Sequence, residues 1–193
     1  MIAILAQMLA LTSTVGSVEG TVRAPDIRAS DAVVYLVPVS GPGQIEGEAA
    51  TIDQRNLRFL PRVLAVTPSS HVEFLNSDPL LHNVFSPSGV GEGFDLGSYR
   101  LGERRAHAFA EAGAHVILCH IHPEMVAYVV VVPSRFRAIT DRDGAFRIDN
   151  VPPGRYELWL WHARLEPVSR EVTVTADQST RVDLTAERRH RGK

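Results

Sequence analysis

Seven residues, Cys119-His120-Ile121-His122-Pro123-Glu124-Met125, set a thiol, an imidazole three residues later and a thioether three residues after that in one short stretch. The stretch leads almost at once into Ala127-Tyr128-Val129-Val130-Val131-Val132, an apolar and mostly β-branched run that suits a buried strand. Cys119 is the only cysteine among the 193 residues, so it has no partner for an internal disulfide. A second imidazole is available from His82, in Leu81-His82-Asn83-Val84-Phe85. For these donors to meet, two loops far apart in the chain must be held at the same end of a rigid scaffold. A β-sandwich does this, because its loops gather at its two ends.

One thiolate, two imidazoles and a weakly bound thioether form the donor set of a type 1 (blue) copper site. The soft sulfurs favour Cu(I) and imidazole suits both oxidation states, so such a site moves one electron with little rearrangement. The expected metal ligands are His82, Cys119, His122 and Met125, with one copper as cofactor. In this arrangement Cys119 binds as the thiolate, the two imidazoles complete a trigonal plane and Met125 is the long axial ligand. Taken singly, each residue has an ordinary reading: a small buried hydrophobe for Cys119, a surface-loop residue for His82, core filling for Met125. Their joint occurrence carries the expectation. His107, His115, His162 and His190 show no ligand spacing, and Glu124 reads as a charge at the rim.

The rest of the chain reads as all-β. Short runs at 18–23, 32–39, 62–67, 72–75, 116–119, 127–132, 145–148, 156–161 and 171–174 are rich in Val, Ile and aromatics and are bounded by Gly, Pro, Asn and Asp. Asp141-Arg142-Asp143-Gly144 and Val151-Pro152-Pro153-Gly154 read as sharp turns, and 41–48 reads as a linker. The best helix candidate is 102–112, which reads equally well as a strand with flanking loops. Leu158 and Leu160 alternate with Trp159 and Trp161, so sandwich packing is expected, one pair on each face.

Composition narrows the function. Hydrophobic residues make up 45% of the chain, enough for a packed core, and a net charge of −2 gives no footprint for nucleic acid. The basic tail at 187–193 is too short to change that and reads as a solvated terminus. Residues 1–17 carry no charge and are apolar, then small, as in a secretory signal peptide; the segment is too short to span a membrane. The expected location is therefore outside the cytoplasm, periplasmic or otherwise exported. A lone thiol in such a compartment is open to oxidation unless a metal occupies it. There is no Gly-x-Ser-x-Gly, no His-Glu-x-x-His and no phosphate-binding glycine loop, so no enzyme is expected.

Residues 51–133 resemble a cupredoxin of the plastocyanin and amicyanin type. The resemblance is carried by Phe59-x-Pro61 with Val63-x-Ala65-Val66, by Val72-x-Phe74-x-Asn76-x-Asp78 with His82-Asn83-Val84, and by Cys119-x-x-His122-x-x-Met125. Family members with the wording Asn76-Ser77-Asp78-Pro79 and His122-Pro123-x-Met125 are labelled methylamine-utilization-like proteins. The resemblance implies a Greek-key β-sandwich. It also implies that the Asn83 backbone N–H donates to the Cys119 sulfur while its side chain ties the two ligand loops together. An exposed edge of His122 would serve as the electron port, where redox partner proteins dock transiently beside Pro79, Leu80 and Leu81. Two positions depart from the family: His71, and His120, which is either a rival ligand or a solvent-facing neighbour of the site.

Residues 136–185 resemble the second half of a carboxypeptidase regulatory-like domain, a small transthyretin-like β-sandwich. The carrying words are Thr140-Asp141-x-Asp143-Gly144-x-Phe146 and Val151-Pro152-Pro153-Gly154-x-Tyr156. Gly20-Thr21-Val22 and Ala32-Val33-Val34-Tyr35-Leu36 fit its first half. The expected organisation is one sandwich from 18–45 and 134–186, split by a cupredoxin domain at 50–133; the alternative is two successive domains, 18–133 and 134–193. Four functions compete: a one-electron carrier, a copper-binding or copper-delivery protein, a surface interaction module with incidental metal, and a redox enzyme, which would need an open coordination position or a second metal centre. Delivery proteins favour exposed Met- or His-rich sites, and this chain has three Met, two of them in the apolar leader.

Overall fold

In a computed structural model, residues 14–41 and 43–189 are described. The apolar leader falls outside them up to residue 13, as does the tail from residue 190. The first strand begins at Gly16, inside the segment read as leader, and the Ser17 amide bonds to the Gln178 carbonyl at 3.0 Å.

Seventeen strands and no helix are found among the described residues. β1 (Gly16–Arg23) and β2 (Val33–Pro38) come first. Nine strands follow: β3 (Ala49–Gln54), β4 (Phe59–Leu60), β5 (Val63–Val66), β6 (Ser70–Asn76), β7 (His82–Ser86), β8 (Phe94–Tyr99), β9 (Arg104–Phe109), β10 (Gly113–Leu118) and β11 (Val126–Val131). The last six are β12 (Arg137–Ile139), β13 (Ala145–Val151), β14 (Gly154–Trp161), β15 (Val168–Val174), β16 (Ser179–Arg181) and β17 (Leu184–Thr185). They form four sheets: β4-β3-β6-β9 and β5-β11-β10-β7-β8 from the middle of the chain, β12-β2-β14-β15 and β13-β1-β16, with β17 also on β1, from its two ends. β1 thus pairs with β13, and β2 with β14 and β12, across the whole intervening segment.

Each pair of sheets closes on its own core, and the alternation along the strands shows why. In β6, Val72 and Phe74 point inward while His71 and Glu73 point out. In β14, Tyr156, Leu158 and Leu160 enter the terminal core. Trp161, one residue on, faces away from that core and packs in a third cluster. Trp161 therefore packs outside its own sandwich, against the neighbouring one.

β11 explains this third cluster. Its apolar run is buried on both faces. Ala127, Val129 and Val131 pack in the central core, while Tyr128, Val130 and Val132 join Val33, Tyr35, Val63 and Trp161. The outer faces of two sheets are thereby stacked into one apolar seam. The Trp161 ring meets Tyr128 edge-on at 5.4 Å, Arg137 donates to the Ala65 carbonyl at 3.0 Å and pairs with Glu48, and Arg62 reaches Asp31 at 3.2 Å.

Two sequence readings shift. Segment 102–112 contains no helix: Arg104–Phe109 pairs antiparallel along β6, which satisfies its backbone groups despite its polar sequence. His82 is the first residue of β7 rather than a loop residue. Trp161→Ala should remove the centre of the seam and cost about 2 kcal/mol, less than for a fully buried tryptophan because this side chain is half-buried. Chemical denaturation should show a lower midpoint; an unchanged midpoint would mean the seam contributes nothing to stability.

Candidate metal centre

The two donor-bearing segments, the start of β7 and the loop after β10, lie at the same end of the central sandwich. β6 ends at Asn76, whose side chain shapes the turn that follows. Its amide NH2 donates to the carbonyls of Leu80 and Tyr99 at 2.9 and 3.0 Å, and its Oδ1 accepts from the Asp78 amide at 2.9 Å. The chain then enters β7 at His82 with no freedom to swing. The second loop, 119–125, joins β10 to β11, which are in register from Leu118 opposite Val126. Pro123 fixes φ within it, and the Met125 amide bonds to the His122 carbonyl at 3.0 Å, closing the loop tightly. Leu118 also faces Phe85 of β7, so the two loops are neighbours.

One donor atom from each of His82, Cys119 and His122 lies within 4.8 Å of the others. The two imidazole Nδ1 atoms are 3.0 Å apart, and the Cys119 sulfur is 3.9 Å from Nδ1 of His122. His82 is wholly buried, Cys119 nearly so and His122 half-buried. Met125 is buried in the core cluster that also holds Cys119. The Asn83 amide donates to the Cys119 sulfur at 3.5 Å, and its side-chain oxygen accepts from the His120 amide at 3.2 Å. The ring of His120 lies outside the donor cluster. It stacks on Phe85 at 3.6 Å and reaches the Asp95 carboxylate at 3.4 Å.

Asp78 had no assigned role in the sequence reading, yet it orients the first imidazole. Its Oδ2 is 2.9 Å from Nε2 of His82. Asn56 and Leu57 adopt left-handed backbone, with φ of 55° and 57°, and so aim consecutive amides at the carboxylate, at 2.6 and 2.9 Å. Burial pushes the Asp78 carboxyl up, but the two amides and His82 outweigh it and hold it below the usual carboxylate range. An anionic Asp78 takes the Nε2–H of His82, which leaves the Nδ1 lone pair facing the cluster. The signal for this was present as a carboxylate four residues before the histidine. The Asp95 contact with Asn83, at 2.7 Å, had no comparable signal.

The donors fit a first-row transition metal. Bonds of about 2 Å to imidazole nitrogen suit two nitrogens 3.0 Å apart that face one another, with a sulfur beside them. Leu80, Leu81 and Ile121, in the two loops, expose 46%, 45% and 43% of their surface, leaving an apolar rim.

Residues 124–187 match the family model for the carboxypeptidase regulatory-like domain. Structures similar to this chain are cupredoxins. They include an amicyanin variant in its Cu(I) form (24% identity over 44% of this chain and 82% of that one, TM-score 0.41). Others are a purple cupredoxin from Nitrosopumilus maritimus (26%, 43% and 99%, TM-score 0.39) and amicyanin from Paracoccus versutus (20%, 53% and 99%, TM-score 0.41). No curated protein matches the chain. The matched family span includes β11, which pairs in the central sandwich, and omits β1 and β2, which pair in the terminal one.

Asp78→Ala should destabilise the metal-free protein by about 3 kcal/mol at neutral pH, because two amides and a ring N–H lose a buried acceptor. A depressed carboxyl stabilises above the ordinary pKa of about 4 and stops doing so as pH falls through its folded value. The stability gap between wild type and variant should therefore narrow below about pH 4. A gap independent of pH, measured by urea unfolding from pH 7 to 3, would show that Asp78 is not anionic in the fold.

Proposed function

We propose that this chain is a type 1 copper protein that carries single electrons outside the cytoplasm, with His82, Cys119, His122 and Met125 as its metal ligands. The observation that carries the reading is the convergence of two imidazole nitrogens and the sole thiol, one from the start of β7 and the others from the 119–125 loop, at one end of the central sandwich. Bound copper would supply the one-electron couple. The chain's own residues supply the rest. Asp78 fixes the tautomer of His82, and Asn83 donates to the thiolate while its side chain holds the backbone beside it. β10 and β11 pin both ends of the 119–125 loop, so the donors keep their places whichever charge the metal carries.

His122 is the half-buried donor, and its ring edge is the shortest way in for an electron. The apolar rim of Leu80, Leu81 and Ile121 suits brief docking by a redox protein, because it desolvates readily and makes few bonds that must be broken on release. We also propose that residues 18–45 and 134–186 form one carboxypeptidase regulatory-like sandwich around the cupredoxin domain at 50–133. The pairing of β1 and β2 with β13, β14 and β12 supports that division. A delivery role is the weaker reading, since a site this buried with a single thioether is poorly built for handing over metal. A catalytic role would need an open coordination position, which four protein ligands do not leave.

The test is the visible and EPR spectrum of the full chain with one equivalent of Cu(II), with Cys119→Ser as control. An intense thiolate-to-copper band with narrow copper hyperfine splitting, abolished by Cys119→Ser, is expected. A pale spectrum that the substitution leaves unchanged would overturn the proposal. Met125→Gln should retain copper and lower the reduction potential, because a harder oxygen donor favours Cu(II); an unchanged potential in voltammetry would mean Met125 is not a ligand.

A further inference from the structure

We propose that Asp95 is a positioning residue for the Cys119 thiolate, acting through the side chain of Asn83. This rests on the copper reading for its redox consequence, though not for its geometry. Three polar groups of Asn83 act at the site: its amide meets the Cys119 sulfur at 3.5 Å, its Oδ1 holds the His120 amide at 3.2 Å, and its Nδ2 donates to Oδ1 of Asp95 at 2.7 Å. Of these the Asp95 bond is the shortest, and it ties Asn83 to a third element, β8, that carries no donor.

The local backbone is arranged for this bond. β7 and β8 pair with a register shift between Asn83 and Phe85, so Asp95, nominally opposite Phe85, reaches the side chain of Asn83. The same Oδ1 accepts from the Gly97 amide at 2.8 Å, where Gly97 takes φ of 69°, a left-handed conformation in which a side chain would be strained. The other carboxylate oxygen faces the His120 ring at 3.4 Å, and that ring is stacked on Phe85. Asp95 therefore holds both residues that flank the thiol, Asn83 across the loops and His120 next in sequence. Without it the Asn83 amide group has no acceptor for its NH2 and is free to turn, and its oxygen leaves the His120 N–H. The sulfur then loses the rigid frame that points a backbone donor at it.

A plain charge effect makes the opposite prediction, which gives the test its force. Removing a negative charge near copper favours the less positive Cu(I) and raises the potential. Loosening a hydrogen bond to the thiolate leaves more charge on sulfur, favours Cu(II) and lowers it. Asp95→Asn removes the charge but keeps an oxygen acceptor for Asn83 and Gly97; Asp95→Ala removes both.

The experiment measures two quantities in wild type, Asp95→Asn and Asp95→Ala: the reduction potential of the copper-loaded full chain, and amide hydrogen exchange at Asn83 and His120 in the copper-free chain. Positioning is expected to give exchange about tenfold faster in Asp95→Ala, the protection of roughly one hydrogen bond, with Asp95→Asn close to wild type. The potential should lie lower in Asp95→Ala than in Asp95→Asn, which shares its loss of charge. Equal potentials in the two variants, or exchange at Asn83 and His120 that Asp95→Ala leaves unchanged, would overturn the proposal. Because exchange is read without metal, a chain that binds no type 1 copper would sink the functional reading while leaving this one to be judged on exchange alone.

Discussion

β11 is the strand on which everything else leans. It is buried on both faces, with alternate side chains committed to two different cores, and it pairs parallel to β5 on one edge and antiparallel to β10 on the other. A strand so enclosed cannot slip in register by one residue, because every side chain would change core. Its N-terminal end carries the 119–125 loop, so the thiol and the second imidazole inherit that fixed register. Its C-terminal end passes the chain to the terminal sandwich through Val132, whose amide bonds to the Val66 carbonyl at 2.8 Å. The precision of the donor cluster and the attachment of the second sandwich are two consequences of one apolar sequence, Tyr128 to Val132.

What the sequence made legible followed from local pattern. The donor spacing at 119–125, the both-faced apolar run after it and the glycine-ended turn at 141–144 are all short-range signals, and the Asp141 side chain does bond the Asp143 and Ala145 amides at 2.9 Å as such a turn requires. What stayed hidden depends on pairing between distant segments. β8 and β9 are polar, with burial confined mostly to Tyr99 and Phe109, and they exist as strands because β7 and β6 offer them edges. Asp95 could not be seen because its reach to Asn83 depends on a register shift. Asp78 lay in plain view, but its importance depends on Asn56 and Leu57 both turning left-handed beneath it, a conformation that asparagine tolerates and leucine does not announce. The position of Trp161 was missed for a related reason: alternation along β14 separates the two faces but does not say what covers the outer one.

The electrostatics of the donor end follow one design. Two carboxylates, Asp78 and Asp95, each stand behind a residue that touches the cluster; two left-handed residues donate their amides to Asp78 and the left-handed Gly97 donates its amide to Asp95. Against the opposing effect of desolvation, the Leu57 and Asn56 amides with His82 keep Asp78 below its usual range, and the Gly97 amide with Asn83 and His120 does the same for Asp95. A carboxylate lowered in this way accepts from backbone donors that belong to the fold. The ring of His82 and the side-chain amide of Asn83 are therefore oriented by groups that the fold itself holds in place.

The order of the strands also bears on how such a chain can fold. β1 and β13 pair residues 128 apart, as in Glu19 with Arg147, and closing so long a loop before anything else has formed is entropically costly. The central strands remove that cost. β3 begins and β11 ends beside the same turn at 67–70, where Glu48 receives the Thr67 amide and pairs with Arg137. Once the central sandwich closes, its two ends are adjacent, and the segments destined for β1 and β13 are joined by a short span in space rather than by a hundred residues of free chain. That junction lies at the far end of β11 from the donor loop, about 20 Å away for a strand of six residues. The strand pairing that sets β1 and β2 beside β12, β13 and β14 therefore places both chain connections between the two sandwiches at one end and leaves the donor end clear of them.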